Sequence, residues 1–244
     1  MEQVCLTVQY DGTGYHGWQV QPNGETVQQV LQDAIESVTG VRASLTGCSR
    51  TDAGVHAHRF YCTTLAPARL SPEQFVKALN ANLPKDVAVL DCRTVSQDFH
   101  PRYSATKKRY VYHIWNSKVR NPFWQPYSLH IRNRLDDAVM NAAAKRFVGT
   151  HDFSAFCSVG SEVEDKVRTI YRADVTRDGD LLRFTVEGNG FLYNMVRIMV
   201  GTLLDIENGK LSQETIDDAF KSGDRNLVGP TAPSCGLFLD DVTY

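Results

Sequence analysis

The chain has 244 residues, 42% hydrophobic and 22% charged, with 26 Lys and Arg against 28 Asp and Glu for a formal charge of -2. That length buries a sizeable core, as one large domain or two small ones, and the composition excludes a disordered tail. The near-neutral balance supplies no bulk field for a polyanion, so any surface that holds one must be a local patch.

The cysteines Cys5, Cys48, Cys62, Cys92, Cys157 and Cys235 are scattered, with no CxxC pair and no secretory leader ahead of them. This usage is expected of reduced thiols in a cytoplasmic protein. The most apolar stretch, residues 191–204, is interrupted by Asn194 and Arg197 and is too short to span a bilayer, so no membrane partner is expected.

In sequence order, residues 4–9 read as a short strand running into "YDGTGYHGWQVQPNGET", whose glycines and polar residues mark a long loop of the kind that often carries function. Residues 26–39 place Val27, Val30, Leu31, Ala34, Ile35 and Val38 at helical spacing, with Thr26 and Gln29 as a capping box and Gly40 as the stop. Residues 59–66 are strand-like. "SPEQ" at Ser71 is a helix start with proline in the first turn, the helix ending before Pro84, and residues 87–95 form a further strand.

A second series begins with "TKKRYVYHIWN", a strand with Lys108, Tyr110, Tyr112 and Ile114 on one face and Arg109, Val111, His113 and Trp115 on the other. Residues 135–147 are predicted helical, residues 171–177 and 181–187 form a hairpin about Asp178 and Gly179, and residues 191–206 form a buried helix. Residues 211–220 are a further helix and 236–242 a last strand. "LSPEQFVKAL" and "LSQETIDDAF" open their helices alike, which suggests two related α+β halves. The aperiodic "SQDFHPRYSA" separates them, giving an N-terminal half at 1–97, a linker at 98–105 and a C-terminal half at 106–244, each with helices against one face of a mainly antiparallel sheet.

Three groups of residues could carry chemistry. Arg197 stands among Met195, Val196, Ile198, Met199 and Val200, where a guanidinium needs an anion. The bland partners are Asp205 and Glu187; the sharper one is an active carboxylate. Asp52, in the turn-like "RTDAG", is a candidate, although such an aspartate also hydrogen-bonds its own backbone. A neighbouring guanidinium would keep it ionised and available as a nucleophile.

His56 and His58 lie on one face of a strand, but Cys48, Cys62 and His100 offer no zinc-ligand spacing, so no metal is expected. Arg50, His56, His58 and Arg59 with Phe60 and Tyr61, and Arg102, Lys107, Lys108 and Arg109 with Tyr103, Tyr110 and Tyr112, interleave basic and aromatic residues. Phosphates suit the first type and unstacked bases the second, an RNA signature.

"GCSRTDAGVHA" at Gly47 resembles the active-site segment of the tRNA pseudouridine synthase A family. The likeness extends to "YDGTGYHGWQ", "SATKKRYVYHIWN", "HDFSAF", "GNGFLYNMVRIMVG" and "APSCGLFLDDV", almost the whole sequence. The resemblance implies isomerisation of uridine to pseudouridine at positions 38 to 40 of the tRNA anticodon stem-loop, without metal or organic cofactor. It also implies a cytoplasmic homodimer and the pseudouridine synthase fold: two ferredoxin-like halves forming a continuous, mainly antiparallel sheet with helices on one side.

Carried over, Asp52 is the nucleophile, Tyr110 packs on the uracil and helps remove the C5 proton, Arg197 partners the carboxylate and Arg50 helps extrude the base. His56, His58, Lys107, Lys108 and Arg109 are expected RNA contacts, Leu237 with Phe238 a wall of the base pocket, and Gly47, Ala53 and Gly54 room for the flipped nucleotide. The alternatives are a non-catalytic tRNA-binding module and a metal-dependent hydrolase using Asp52, His56 and His58.

Overall fold

The structure, a computed structural model, describes residues 2–67, 69–160 and 163–244. The protein divides into two compact units, Met1–Thr106 with Phe238–Tyr244, and Lys107–Leu237.

The first unit runs β1 (Glu2–Tyr10), α1 (Val27–Thr39), β2 (Thr46–Gly47), β3 (His56–Ala66), α2 (Pro72–Asn82) and β4 (Val87–Thr94). The strands lie in the order β4-β1-β3 with the short β2 also on β3, all antiparallel, which is the βαββαβ order of a ferredoxin-like unit. The helix α1 forms where the apolar spacing predicts it: Thr26 Oγ1 accepts the Gln29 N–H at 3.3 Å, and Gly40 stops the helix at φ 76°. Ser71 and Gln74 close a reciprocal capping box on α2, with Pro72 preset in its first turn. In β3 the register shifts, Val8 standing opposite Phe60 but Tyr10 opposite Ala57. The extra residue is a bulge in β3, and the strand continues back through Ala57, opposite Tyr10, to begin at His56, three residues earlier than the apolar pattern indicates.

The second unit comprises β5 (Lys107–Asn116), β6 (Leu129–Ile131), α3 (Asp137–Lys145), β7 (Gly149–Asp152), β8 (Val167–Asp178), β9 (Leu181–Gly188), α4 (Met195–Glu207) and α5 (Thr215–Ser222). Its strands follow the order β5-β9-β8-β7, antiparallel, with β6 parallel to β5. Lys108, Tyr110, Tyr112 and Ile114 of β5 are all buried, as the alternation predicts. The hairpin closes with Asp178 opposite Leu181, so its loop is Gly179 and Asp180, one residue later than expected, with Gly179 at φ 59°.

The helix α3 starts two residues later than the periodicity suggests, and α4 and α5 each start four residues later. Asn194 adopts φ 61°, a left-handed conformation that cannot continue a helix, so α4 begins at Met195 instead of residue 191. Ser71 caps α2 directly, but Ser212 stands three residues before α5 and accepts the Thr215 N–H at 3.2 Å as a turn. The sequence likeness of the two helix starts is therefore not a likeness of geometry.

The last strand, β10 (Leu237–Thr243), pairs in parallel with β3, Phe238 opposite His56 and Leu239 opposite Ala57, and so residues 238–244 group with the first unit. Beyond it the Tyr244 hydroxyl donates to Pro101 C=O at 3.0 Å, and its ring meets Tyr61 and Phe99 with Arg93 over its face. No helix among the described residues is long and apolar enough to cross a membrane.

Candidate active site

Residues 50–55 link β2 to β3 as a turn, and the long loop after β1 holds that turn in place. The Trp18 N–H donates to Thr51 C=O at 3.1 Å and the Gly54 N–H to Tyr15 C=O at 3.2 Å. The Val55 N–H closes the turn on the Asp52 backbone carbonyl at 3.1 Å. Beneath it the Tyr10 and Thr51 hydroxyls are bonded at 2.8 Å, and Tyr10, Trp18 and Phe60 form an aromatic cluster with Trp18 stacked on Phe60 at 3.9 Å.

The fit depends on glycines. A Cβ at Gly12 would lie 2.0 Å from Val55 O, and one at Gly17, which has φ +87°, 2.5 Å from Thr51 O. At Gly47 a Cβ would lie 2.6 Å from Trp18 Nε1 and 2.9 Å from Phe60, so the space there is filled by the protein's own aromatic rings and not kept for a nucleotide. Asp52 ends half-buried at the crest of this braced turn, with Arg50 exposed beside it.

The His56 and His58 rings share a face, as the strand spacing predicts, and pack on Phe238 of β10 with centroids at 4.5 and 4.9 Å. Their settings differ. His56 is 1% exposed, its Nδ1 3.0 Å from the Gly12 N–H and 3.1 Å from Asp11, so it braces the loop and has no surface to offer RNA. His58 is half exposed and its Nδ1 is 3.0 Å from Asp240. Leu237 and Phe238 are both buried.

In the second unit Arg197 extends from α4 with its Nε donating to Ala232 C=O at 2.7 Å and its Nη1 to Asn194 Oδ1 at 2.8 Å. Asn194 in turn donates to Ser158 Oγ at 2.9 Å, which gives its left-handed backbone a purpose: it aims the amide at the guanidinium. The carboxylates nearest in sequence are engaged elsewhere, Glu187 by Lys107 at 3.0 Å and Arg109 at 2.7 Å, Asp205 by Lys210 at 3.0 Å. Burial alone would raise the Glu187 pKa, but the bonds from Arg109 and Lys107 outweigh it and hold the carboxyl below its ordinary value. Arg109 is directly opposite Glu187 across β5 and β9, so this cluster cross-links two strands. Lys108, by contrast, is buried.

Tyr110, also on β5, is buried, with its ring edge-on to Phe191 at 5.0 Å. All six cysteines are free thiols, and burial first, then Asp91, pushes Cys92 up to about 11, so it supplies no nucleophile at neutral pH.

The family profile described as tRNA pseudouridine synthase matches residues 6–104 and 143–244, spans that hold both the Asp52 turn and the Arg197 helix. The protein belongs to the tRNA pseudouridine synthase family. It is accordingly an isomerase that acts on uridine in tRNA. Over its full 244 residues the synthase is 45% identical to tRNA pseudouridine synthase A of Thermoanaerobacter sp. (strain X514) and covers all of that protein. It is 43% identical over 244 residues to the protein of the same name from Acetivibrio thermocellus, again covering all of it. To that of Geobacillus kaustophilus it is 44% identical over 250 aligned residues, covering 95% of the relative. Tyr110 and the cations beside it fall between the two profile spans, within these full-length matches.

Sequence reasoning singled out the polar residues of the turn but missed what positions them: Tyr10, Gly12, Gly17, Trp18 and Thr51 around Asp52, and Asn194 at Arg197. The signal present was the "YDGTGYHGWQ" segment itself, whose aromatic residues and glycines are the brace.

Proposed function

We propose that the synthase isomerises uridines at positions 38 to 40 of the tRNA anticodon stem-loop, with Asp52 as the nucleophile, working as a cytoplasmic homodimer. The observation that carries the reading is the Asp52 turn: a half-buried carboxylate on a loop fixed by backbone hydrogen bonds and aromatic packing, inside the span shared with the family. A fixed carboxylate costs little reorganisation when it attacks, which is what a covalent step requires.

The target uridine leaves its stack at a cost of a few kcal/mol. Stacking on the Tyr110 ring offsets roughly 1 to 3 kcal/mol of that, and Arg50 occupies the vacated space or holds a phosphate. Asp52 then adds to C6 of the base or C1' of the ribose, or takes a proton to leave a glycal. The N1 to C1' bond breaks, the uracil turns and C5 bonds to C1'. The C5 proton departs with help from Tyr110, N1 gains a proton, and Asp52 is freed by displacement as C5 attacks C1', by elimination from C6, or by returning the proton taken to form the glycal, so the reaction is balanced as an isomerisation. Arg197 is the second-unit cation that this reading assigns to the reaction, a role that rests on the family resemblance. Arg50, His58, Arg59 and Arg102 are exposed first-unit residues suited to phosphates.

The test is Asp52→Asn, assayed by tritium release from tRNA labelled at uridine C5. We expect a loss of roughly 10³-fold or more in turnover with tRNA affinity retained. Near-native turnover by this variant would overturn the nucleophile role, and pseudouridine mapped outside the anticodon stem-loop would overturn the site.

A further inference from the structure

Between Asp98 and Asp136 the sequence has no acidic residue, yet it has eight lysines and arginines, so the whole acidic excess lies elsewhere. Lys107, Lys108 and Arg109 occupy the start of β5, but the segment continues past the strand into residues 117–134, which no part of the proposed chemistry uses. There Lys118, Arg120, Arg132 and Arg134 are all exposed. Lys118, Val119, Arg120, His130 and Arg132 line one open recess of about 490 Å³. A smaller recess of about 150 Å³ shares Arg120 and His130 and adds Trp115 and Asn121.

The cations stand on an ordered loop. His130 on β6 is opposite Trp115 on β5, and the loop between them is pinned by Trp115 Nε1 to Val119 C=O at 3.0 Å, His130 Nε2 to Ser117 C=O at 2.8 Å and Ser128 Oγ to Trp124 C=O at 2.6 Å. Asn116 Nδ2 ties its far side through Ile131 C=O at 3.0 Å and Asn133 C=O at 2.6 Å. Elsewhere in the unit cations are matched to carboxylates, Arg146 to Glu214 and Asp217, and Arg177 to Asp137. No carboxylate among the described residues pairs with Lys118, Arg120 or Arg132. Phe123 in the same loop is 85% exposed and Val119 is 72% exposed.

We infer that this groove binds the phosphodiester backbone of the tRNA substrate, as a second contact region apart from the Asp52 turn. A single small anion gains little from exposed cations, because water and salt screen each such pair. A polyanion engages several together and releases its condensed counterions, so its gain grows with each phosphate. Cations carried along a pinned loop suit a backbone with regularly spaced charges, and the exposed Phe123 offers a face to an unstacked base. The inference rests on the substrate being tRNA, and it assigns this loop register and affinity, with no part in bond making.

The experiment measures tRNA binding by the full-length protein in an Asp52→Asn background, so the result does not depend on turnover. The triple variant K118Q/R120Q/R132Q is compared with K77Q/K85Q/K221Q, which removes equal charge from exposed positions elsewhere. We expect the slope of log affinity against log salt to fall by about 2 to 3 for the groove variant, and affinity near 0.1 M salt to drop about tenfold or more. The control should keep both. An unchanged slope in the groove variant, or an equal loss in the control, would overturn the inference. So would a changed molecular mass by light scattering with unchanged tRNA binding, which would assign the groove to a second copy of the protein. Pseudouridine formation by the otherwise native enzyme, measured in parallel, reports separately on the proposed reaction.

Discussion

The residues 50–55 turn and the helix α4 present two charged side chains by different means. The turn closes on itself through the Val55 N–H and the Asp52 C=O, and the backbone of Thr51 and Gly54 is held by Trp18 and Tyr15 from a neighbouring loop. Along α4, Val196, Ile198, Met199 and Val200 are buried, so packing fixes the backbone and only the Arg197 head is steered, by Ala232 C=O and Asn194. Disturbing the neighbours of the turn therefore moves Asp52 itself, whereas a substitution at Arg197 can remove charge with the fold kept.

The largest effect that would sharpen this contrast is Arg197→Met. Methionine keeps the apolar stem but leaves Ala232 C=O and Asn194 Oδ1 without their donors, so stability should fall by about 1 to 3 kcal/mol with the fold kept, while the single-turnover rate falls about 10²- to 10³-fold, the usual loss on deleting one fixed electrostatic contact in an active site. An unchanged rate would break the assignment. Next, Gly17→Ala pushes a methyl group against Thr51 C=O at a positive φ. It should cost about 1 to 3 kcal/mol in denaturant unfolding and slow catalysis as well. Lost stability with full activity would show that the loop does not position Asp52. The smallest effect belongs to Tyr10→Phe, which deletes one buried hydroxyl bond and should cost about 1 kcal/mol. In a double-mutant cycle with Thr51→Val the two losses should not add, and simple additivity would mean the bond does not couple the residues.

Local patterns were legible in the sequence and non-local ones were not. The start and stop of α1 could be read because Thr26 and Gly40 act on their own helix, and the faces of β5 because alternation is a property of one strand. The place of β10 beside β3 could not, since parallel pairing depends on residues far apart in sequence. The helix α4 was overextended because hydrophobic periodicity ignores the single backbone angle at Asn194. In the site, Asp52 and Arg197 stood out as polar groups in telling surroundings. His56 drew attention for the same reason, yet burial against Phe238 and Gly12 makes it a structural brace. Gly47 was read as open space because a sequence does not show which rings fill it.

The strand β10 also imposes an order on biosynthesis. Because residues 238–244 complete the first unit, that unit cannot take its final form on the ribosome until all of residues 107–237 has been made. Domains generally fold as units during synthesis. Here the Phe238 ring that packs on His56, and with it the last support beneath the Asp52 loop, arrives only after the intervening unit, so the nascent first unit waits as a partial sheet in which β2 pairs with β3 but the His56 and Ala57 end lacks its β10 neighbour.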